Sequence, residues 1–405
     1  MPQSETRLSI GWVIALISAI PLIYQTLRNS PAVLTPTLKS TFSLSATQMG
    51  VIASAVSLGA IFSALLASRW VEKFGTKPVI LLMSGSVIIG ALGFGAAQDA
   101  WMLFASRFLI GFGAGAYVGA AMIWVGNGRS DEKFRVYWGE VSTISRLGAV
   151  LATAPLALLI SLLTWRHTIF ALAAAAVVMG IILFFSLDNV KQQKGALGDA
   201  PWREVFSRFV VIRFWAVMVL LGSMTTVGGL WGGPWLISAY QLKETHVSLF
   251  LLLMTIGFAL GSSGCVLIGR YLHHWTTPLL MCISSGIFFL LAWGDMPVAS
   301  ITGILFILGF CLAPTTLILA EIRADSDESN LSKRVFSSTI AFSLGVFVYQ
   351  ALSGIVIDSF ALTKSGEHPV EAYQALFLIA AVLLVITSIF LLILPPRHKG
   401  EGVKV

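Results

Sequence analysis

Apolar stretches of about 20 residues recur along the whole chain, and short polar segments separate them. Because a helix of about 20 residues crosses the hydrocarbon core of a bilayer, this pattern predicts membrane-spanning helices. The predicted spans are residues 10–38, 45–69, 78–97, 101–125, 136–164, 167–187, 209–240, 247–272, 278–294, 298–320, 335–360 and 373–394. We therefore expect an all-α membrane protein with twelve transmembrane helices.

The longest internal polar stretch, residues 188–208, divides the predicted spans into two sets of six. It contains Gly195, Gly198 and Pro201, which disfavour a continuous helix. We interpret it as a cytoplasmic linker between two six-helix bundles, residues 9–187 and 209–394. Residues 395–405 would then form a cytoplasmic tail.

The composition excludes a soluble protein, because 57% of the 405 residues are hydrophobic and only 11% are charged. The apolar segments leave no room for an extramembrane catalytic domain, and no catalytic or metal-ligand constellation stands at membrane depth. We therefore predict a protein that is not an enzyme and has no cofactor. Cys265, Cys282 and Cys311 lie within apolar segments and are expected to be buried thiols.

The net charge of +7 could indicate a nucleic-acid partner, but the basic residues lie in the short segments between apolar stretches. If the N-terminus is cytoplasmic, 19 Lys and Arg residues lie on that side, and only Lys39, Arg166, Lys243 and Lys364 lie on the other. This asymmetry follows the positive-inside rule. It predicts a multi-pass protein of the bacterial inner membrane with both termini cytoplasmic and no nucleic-acid partner.

An internal repeat with an offset near 200 residues is visible at two places. Residues 68–78 follow the second predicted span, and the similar residues 269–278 follow the eighth. Pro36 in the first span also matches Pro234 in the seventh. This duplication is typical of transporters built from two related halves.

Two motifs give a resemblance to a known family. Glu72, Lys73, Gly75 and Lys77 match the signature G-x-x-x-[DE]-[RK]-x-G-x-[RK]-[RK], with Ser68 and Pro78 as departures, and residues 107–114 match R-x-x-x-G-x-G-A. With twelve predicted spans and a central linker, the whole chain resembles the major facilitator superfamily. The resemblance implies two bundles related by pseudo-two-fold symmetry, which rock around a central site.

The same resemblance implies gating roles for Glu72, Lys73, Gly75 and Lys77, which would belong to a latch between the halves on the cytoplasmic side. We assign Arg107, which opens the second motif, to the same gating group. As an alternative, the loop charges follow the positive-inside rule alone, and the glycines of the second motif serve only for close helix packing.

Three arginines, Arg28, Arg107 and Arg146, lie inside predicted spans, where a charge is costly unless it faces a wet cavity or a partner. Arg146 is expected near mid-bilayer, whereas Arg107 lies about 9 Å from the end of its span, where its side chain can reach the interface. Arg28 shares a polar helix face with Tyr24 and Gln25, a pattern that suits a cavity wall.

Residues 28–36 also resemble the R-x-x-x-A-x-x-x-P segment of the organic-phosphate antiporters, in which the arginine binds the anion. The second binding arginine of those relatives falls here at about Thr226, so the resemblance does not extend to a clamp made of two such arginines. The positions of the acidic residues also favour an anionic substrate. None is clearly mid-membrane, and only Glu140 and Asp358 are ambiguous. Buried positive charge without buried negative charge favours an anionic substrate.

We therefore predict a secondary transporter of a small organic anion, a carboxylate, a phosphate or a carboxylate-type siderophore. Arg28 and Arg146 would hold the anionic group. The residues expected around the remainder are Tyr24, Gln25, Asn29, Tyr117, Trp231, Tyr349 and Gln350. The glycines around Trp231 predict a bend in the seventh span.

The expected partners are the lipid bilayer and the small-molecule substrate, with a proton or a counter-anion as coupling ion, and the chain is expected to be a monomer. Two alternatives stay open. One is an exporter of apolar or cationic compounds, although residues 148–155 match the antiporter motif of such exporters only in degenerate form. The other is a ligand sensor that does not transport.

Overall fold

A computed structural model describes residues 10–191, 206–294, 296–326, 328–364 and 366–394. The first six spans are Ile10–Asn29 with Pro31–Phe42, Ala46–Phe74, Thr76–Ala96, Ala100–Gly126, Asp131–Leu151 with Ala154–Leu162, and Trp165–Ser186. The second six are Arg208–Thr226 with Val227–Trp231 and Gly232–Tyr240, Glu244–Leu272, Thr276–Trp293, Val298–Cys311 with Thr315–Ala324, Glu328–Asp358, and Val370–Ile393. They are numbered spans 1 to 12.

The prediction of an all-α membrane protein with twelve spans is confirmed. Eleven helices of the described chain are long and apolar enough to cross a bilayer, and span 5 makes the twelfth as a helix pair bent by 53°. The bend follows from Pro155, which has no N–H to donate to the carbonyl of Leu151. Thr153 caps the broken end, since its Oγ1 donates to the Val150 carbonyl.

Three further spans are interrupted. Span 1 breaks between Asn29 and Pro31, and span 10 breaks before Thr315, next to Pro314. In span 7, Val227–Trp231 form a π-helical turn. The irregularity that the glycines predicted in span 7 is therefore a π turn, and all three interruptions lie inside their spans, away from the ends.

The two halves repeat the same helix contacts. Spans 2 and 4 approach closely where Gly59 lies against the backbone of Phe108, and spans 8 and 10 do so where Gly257 lies against Phe306, about 200 residues later. In each half, the first span also packs on the fifth, the third on the sixth and the first on the sixth. These repeated pairings are the pseudo-two-fold symmetry that the sequence repeat predicted.

The halves meet at one side of the membrane. We call the side on which span 1 begins and span 12 ends the terminal side, and the opposite side the loop side. On the loop side, Gly354 of span 11 lies against the backbone of Ala46, and Gly233 of span 7 lies against the Ala32 carbonyl. The space between the halves is therefore closed on the loop side and opens toward the terminal side.

Two expectations need correction. Cys265 and Cys311 are buried as expected, but Cys282 of span 9 is exposed on the outer surface of its bundle. In a membrane protein, the surface that faces lipid is as apolar as the protein interior. An apolar neighbourhood in the sequence therefore does not show which face of a span is buried in the protein. The predicted linker, residues 188–208, lies mostly outside the described residues.

Replacing Gly111 of span 4 with valine should lower the free energy of unfolding by about 1 to 3 kcal/mol, because a Cβ there would overlap the backbone of Val56 on span 2. Gly309→Val should behave alike, since Gly309 meets Met254 in the same way in the second half. Thermal unfolding in detergent measures both.

Gly119→Val and Gly303→Val are matched controls, because no atom lies within 4 Å of a Cβ at either position. Equal melting temperatures for test and control variants would show that the contacts between spans 2 and 4 and between spans 8 and 10 are not tightly packed.

Candidate functional site

A cavity of about 400 Å³ lies between the two halves. Its lining comes from spans 1 and 5 of the first half and spans 7, 8, 10 and 11 of the second. These residues lie in the middle of the spans and toward the terminal side, which agrees with closure on the loop side. The described residues that line the cavity include no carboxylate.

Both predicted anchor residues, Arg28 and Arg146, line this cavity, and so do Gln25 and Asn29. Nη2 of Arg28 and Oε1 of Gln25 are buried without a hydrogen-bond partner in the described structure. The Arg28 guanidinium lies 4.8 Å from the ring centre of Phe342, on span 11 of the other half. Because a buried, unpaired donor is costly, Arg28 retains capacity to bind a ligand.

The other five predicted substrate residues do not line the cavity. The Tyr117 hydroxyl donates to the Ile17 carbonyl and is buried, so it joins span 4 to span 1. Nε1 of Trp231 donates to Oγ of Ser353, 2.7 Å away. Tyr24 is partly buried and packs on the hydrophobic core.

Gln350 and Tyr349 lie closer to the cavity. Nε2 of Gln350 donates to the Thr225 carbonyl, and Gly229 lies between the Gln350 and Asn29 side chains at the loop-side end of the cavity. The Tyr349 ring packs on Gly222 of span 7. Both side chains therefore contact span 7, which forms part of the cavity wall, without lining the cavity themselves.

Sequence reasoning missed the second-half wall of the cavity, which carries hydroxyl and apolar side chains. Its members include Leu221, Met224, Thr225, Thr255, Phe258, Ser262, Thr315, Thr316, Leu319, Ser338, Thr339 and Phe342. The adjacent pairs Thr315–Thr316 and Ser338–Thr339 were a usable signal, because two neighbouring hydroxyls within an apolar span indicate a face in contact with protein or water.

Arg107 does not reach the interface, contrary to the sequence expectation, because it is only 1% exposed. Its guanidinium donates to four backbone carbonyls, those of Leu27, Arg28, Ile52 and Ala53. The first two lie at the break in span 1, where Pro31 has no N–H for the Leu27 carbonyl. Arg107 therefore holds the broken end of span 1 against span 2 and fixes the backbone that carries Arg28.

A sequence model of the Major Facilitator Superfamily matches residues 12–338. The chain belongs to the Major Facilitator Superfamily. It is therefore a membrane transporter and not an enzyme.

The fold is similar to a mutant form of the nucleoside transporter NupG (TM-score 0.72, 14% identity), over 94% of this chain and 99% of the other. It is also similar to a bacterial homologue of the human lysosomal transporter Spinster in an inward-facing, unoccupied conformation. There the TM-score is 0.70 and the identity 13%, over 95% of each chain. At these identities the likeness shows the fold alone.

Curated relatives match over shorter stretches. The chain is 24% identical over 198 residues to the multidrug resistance protein MdtL of Shigella flexneri serotype 5b, 47% of this chain and 51% of that protein. It is 36% identical over 69 residues to a D-xylose transporter of Levilactobacillus brevis, 17% and 15% of the two chains. The chain thus spans about half or less of the length of these relatives.

The superfamily signature lies in the turn between spans 2 and 3 on the terminal side. Gly75 has a φ of +87°, which favours glycine, and the Asn189 side chain bonds to the turn through Lys77 N and the Phe74 carbonyl. Lys73 and Lys77 lie over the rings of Phe74 and Phe184. Within the described residues, this turn contacts the segment after span 6 of its own half.

The closed loop side contains a polar contact between the halves. Both carboxylate oxygens of Asp358, at the end of span 11, accept from the N–H groups of Ala46 and Thr47 at the start of span 2, at 2.9 and 2.7 Å. A carboxylate at a helix N-terminus satisfies free donors and complements the helix dipole. Asp358 therefore caps span 2 across the interface between the halves.

His368, in the loop before span 12, lies 3.5 Å from Oδ1 of Asp358 through Nε2. Burial lowers the pKa of His368, and the nearby Lys39 lowers it further, against the opposing effect of Asp358. The imidazole is therefore neutral at pH 7. The negative charge of Asp358 is directed at the helix N-terminus of span 2.

Arg107→Met should lower the free energy of unfolding by roughly 2 to 4 kcal/mol, because it removes the charge-assisted bonds to four buried carbonyls at and beside the break in span 1. Arg107→Lys should lose less, since an ammonium still donates to some of them. Thermal unfolding measures this. Arg129→Met is the control, because Arg129 also binds two carbonyls, of Trp124 and Val125, but near a helix end on the terminal side. Equal losses for the two methionine variants would contradict the role given to Arg107.

Asp358→Ala should shift the protein toward a state that opens on the loop side. A cysteine at Ala32, in a background without the three native cysteines, should react about fivefold faster with a membrane-impermeant thiol reagent added on that side. Asp99→Ala is the control, because Asp99 caps span 4 within one half by accepting from Met102 N. Unchanged reactivity in Asp358→Ala would show that this cap does not hold the loop side closed.

Proposed function

We propose that this transporter moves a small organic anion, a carboxylate or a phosphate, by alternating access. One observation carries the proposal. Arg28 and Arg146 come from different spans and line one cavity, and no carboxylate is found among its described lining residues. An anion in the cavity would supply the negative charge that the lining lacks.

The position of Arg28 supports binding of the anionic group from the loop-side end of the cavity. Its backbone carbonyl accepts from Arg107, and its Nη2 is an unpaired donor. Arg146 is exposed on the facing span 5, where an oxygen of the same group could bind. Gln25 and Asn29, one turn apart on span 1, add amide groups beside the two cations.

Binding of an anion in the cavity would favour the switch from the state open on the terminal side to the state open on the loop side. Two like charges line the cavity, and Nη2 of Arg28 has no hydrogen-bond partner in the described structure, so a bound anion would balance the charge and pair that donor. Rocking of the halves would close the terminal side and release the contacts that Asp358, Gly354 and Gly233 make on the loop side. A carboxylate-type siderophore is a further member of this substrate class.

Several finer parts of the proposal rest on sequence pattern. Nineteen Lys and Arg residues lie on the side of the two termini and four on the opposite side. This asymmetry supports a location in the bacterial inner membrane with both termini cytoplasmic. The terminal side would then be the cytoplasmic side. A proton or a counter-anion would serve as coupling ion, and a single chain holds the whole cavity, which supports a monomer.

Export of apolar or cationic compounds is the second candidate. It is favoured by the apolar side chains of Leu221, Met224, Phe258 and Phe342 in the cavity wall, and by the partial similarity to a multidrug resistance protein. The two cavity arginines oppose a cationic substrate. Apolar neutral compounds therefore form the stronger version of this alternative.

Arg28→Ala and Arg146→Ala should each abolish the rise in melting temperature that an organic anion produces in the wild type. The physical reason is that a ligand stabilises the state that it binds, and each variant removes one of two cations that hold it. A thermal-shift panel of carboxylates, organic phosphates and lipophilic cations measures this.

Arg270→Gln is the matched control, because it removes one positive charge at the exposed terminal-side end of span 8, outside the cavity. It should respond to anions as the wild type does. Stabilisation by lipophilic cations alone, with wild-type responses in both arginine variants, would refute the anion proposal.

A further inference from the structure

The cavity has two chemically different walls, one from each half. The first half contributes a charged wall, made of Gln25, Arg28, Asn29 and Arg146. The second half contributes an apolar wall, in which Leu221, Met224, Phe258, Leu319 and Phe342 are the large side chains, and no described residue of this wall is ionisable. A ligand that spans the cavity therefore meets charge at one end and large apolar side chains, with hydroxyl groups among them, at the other.

Four hydroxyl groups of the second-half wall donate their protons to backbone carbonyls. Thr225, Thr255 and Ser262 each donate to a backbone carbonyl one turn earlier on their own helix, those of Leu221, Leu251 and Phe258. The Thr316 hydroxyl donates to the Ser262 carbonyl on span 8. A hydroxyl that has used its proton in this way offers only acceptor lone pairs, which do not bind an oxyanion. These four hydroxyls therefore add no donor for an anion to those of the charged wall.

The two walls touch where Arg28 lies over the Phe342 ring, 4.8 Å from its centre. An aromatic face stabilises the guanidinium without neutralising it, and Nη2 of Arg28 stays unpaired. An acidic group bound to Arg28 would therefore place the rest of its molecule directly against Phe342 and, across the cavity, Phe258.

We propose that the substrate is an amphipathic carboxylate, with a single acidic group on Arg28 and Arg146 and an aromatic or aliphatic body against Phe258, Phe342, Leu221 and Met224. This rests on the proposed function and narrows it. A cavity of about 400 Å³ accommodates a compact organic acid of this kind. A polyanion such as citrate would place further carboxylates against the second-half wall, where no described residue carries a positive charge. A hydroxylated acid such as gluconate would lose the hydration of its hydroxyl groups against the large apolar side chains.

The experiment compares ligands of one shape and different charge, and ligands of one charge and different polarity. The probes are phenylacetate and hexanoate, their neutral and cationic counterparts phenylacetamide and 2-phenylethylammonium, and the polar anions gluconate, citrate and inorganic phosphate. Dissociation constants are measured by calorimetry on the purified full-length protein. Phenylacetate or hexanoate should bind at least tenfold more tightly than any other probe.

Two aromatic variants test the apolar wall. Phe258→Ala, which leaves the contact between Arg28 and Phe342 in place, should weaken phenylacetate binding on the order of tenfold, and Phe342→Ala should weaken it by at least as much. Phe289→Ala is the control, because Phe289 is exposed on the outer surface of span 9 and should leave binding unchanged. Melting temperatures of the three variants without ligand identify any loss of folding.

The outcomes separate the two proposals. If citrate, gluconate or phosphate binds more tightly than both apolar carboxylates, or if Phe258→Ala binds phenylacetate as the wild type does, the amphipathic class is wrong and the anion proposal stands. If 2-phenylethylammonium or phenylacetamide binds more tightly than phenylacetate, or if no anion of the panel binds, both proposals fail.

Discussion

The arrangement of the cavity depends on how the backbone polar groups at the break in span 1 are satisfied. A proline in a spanning helix leaves the carbonyl four residues earlier without its N–H donor. Since no water is present in the interior of a membrane, another protein group must donate to that carbonyl. Arg107 supplies the donor from span 4, together with the Ser30 hydroxyl, which also donates to the Leu27 carbonyl. A buried charge that is costly in isolation is thus stabilised by four carbonyl dipoles. The same contact sets the position of Arg28, which is why a residue outside the cavity determines its chemistry.

The two halves share a scaffold but not a chemistry. The glycine contacts of spans 2 and 4 recur in spans 8 and 10, whereas the position that corresponds to Arg107 holds Leu305, which is buried. Span 7 has no proline at the place of the break and forms a π turn instead. The first half therefore contributes both arginines of the cavity, and the second half contributes the π turn and the large apolar side chains.

The fold was predictable because its determinants are local. The length of each apolar stretch gives a span, and the glycines of span 7 predict its irregularity, whereas the breaks at Pro31 and Pro155 were not predicted. Arg28, Arg146, Gln25 and Asn29 were identifiable as residues of one cavity because polar atoms at membrane depth must face water or protein. Tyr117 and Trp231 lie elsewhere, since an apolar span does not reveal which of its faces meets lipid and which meets a neighbouring helix. The bonds of Arg107 depend on three spans at once, and no pattern within one span indicates them.

The π turn of span 7 has a mechanical consequence. Such a turn contains one residue more than an α-helical turn, so span 7 has one extra residue at Val227–Trp231. If the π turn moves along the helix axis by one turn, the segment that it passes rotates by about 100°, while the ends of the span stay in place. A side chain can therefore exchange a position in the wall for a position in the aqueous space without any displacement of the bundle. Register slippage of this kind would give span 7 a degree of freedom that the break in span 1, held by Arg107, lacks.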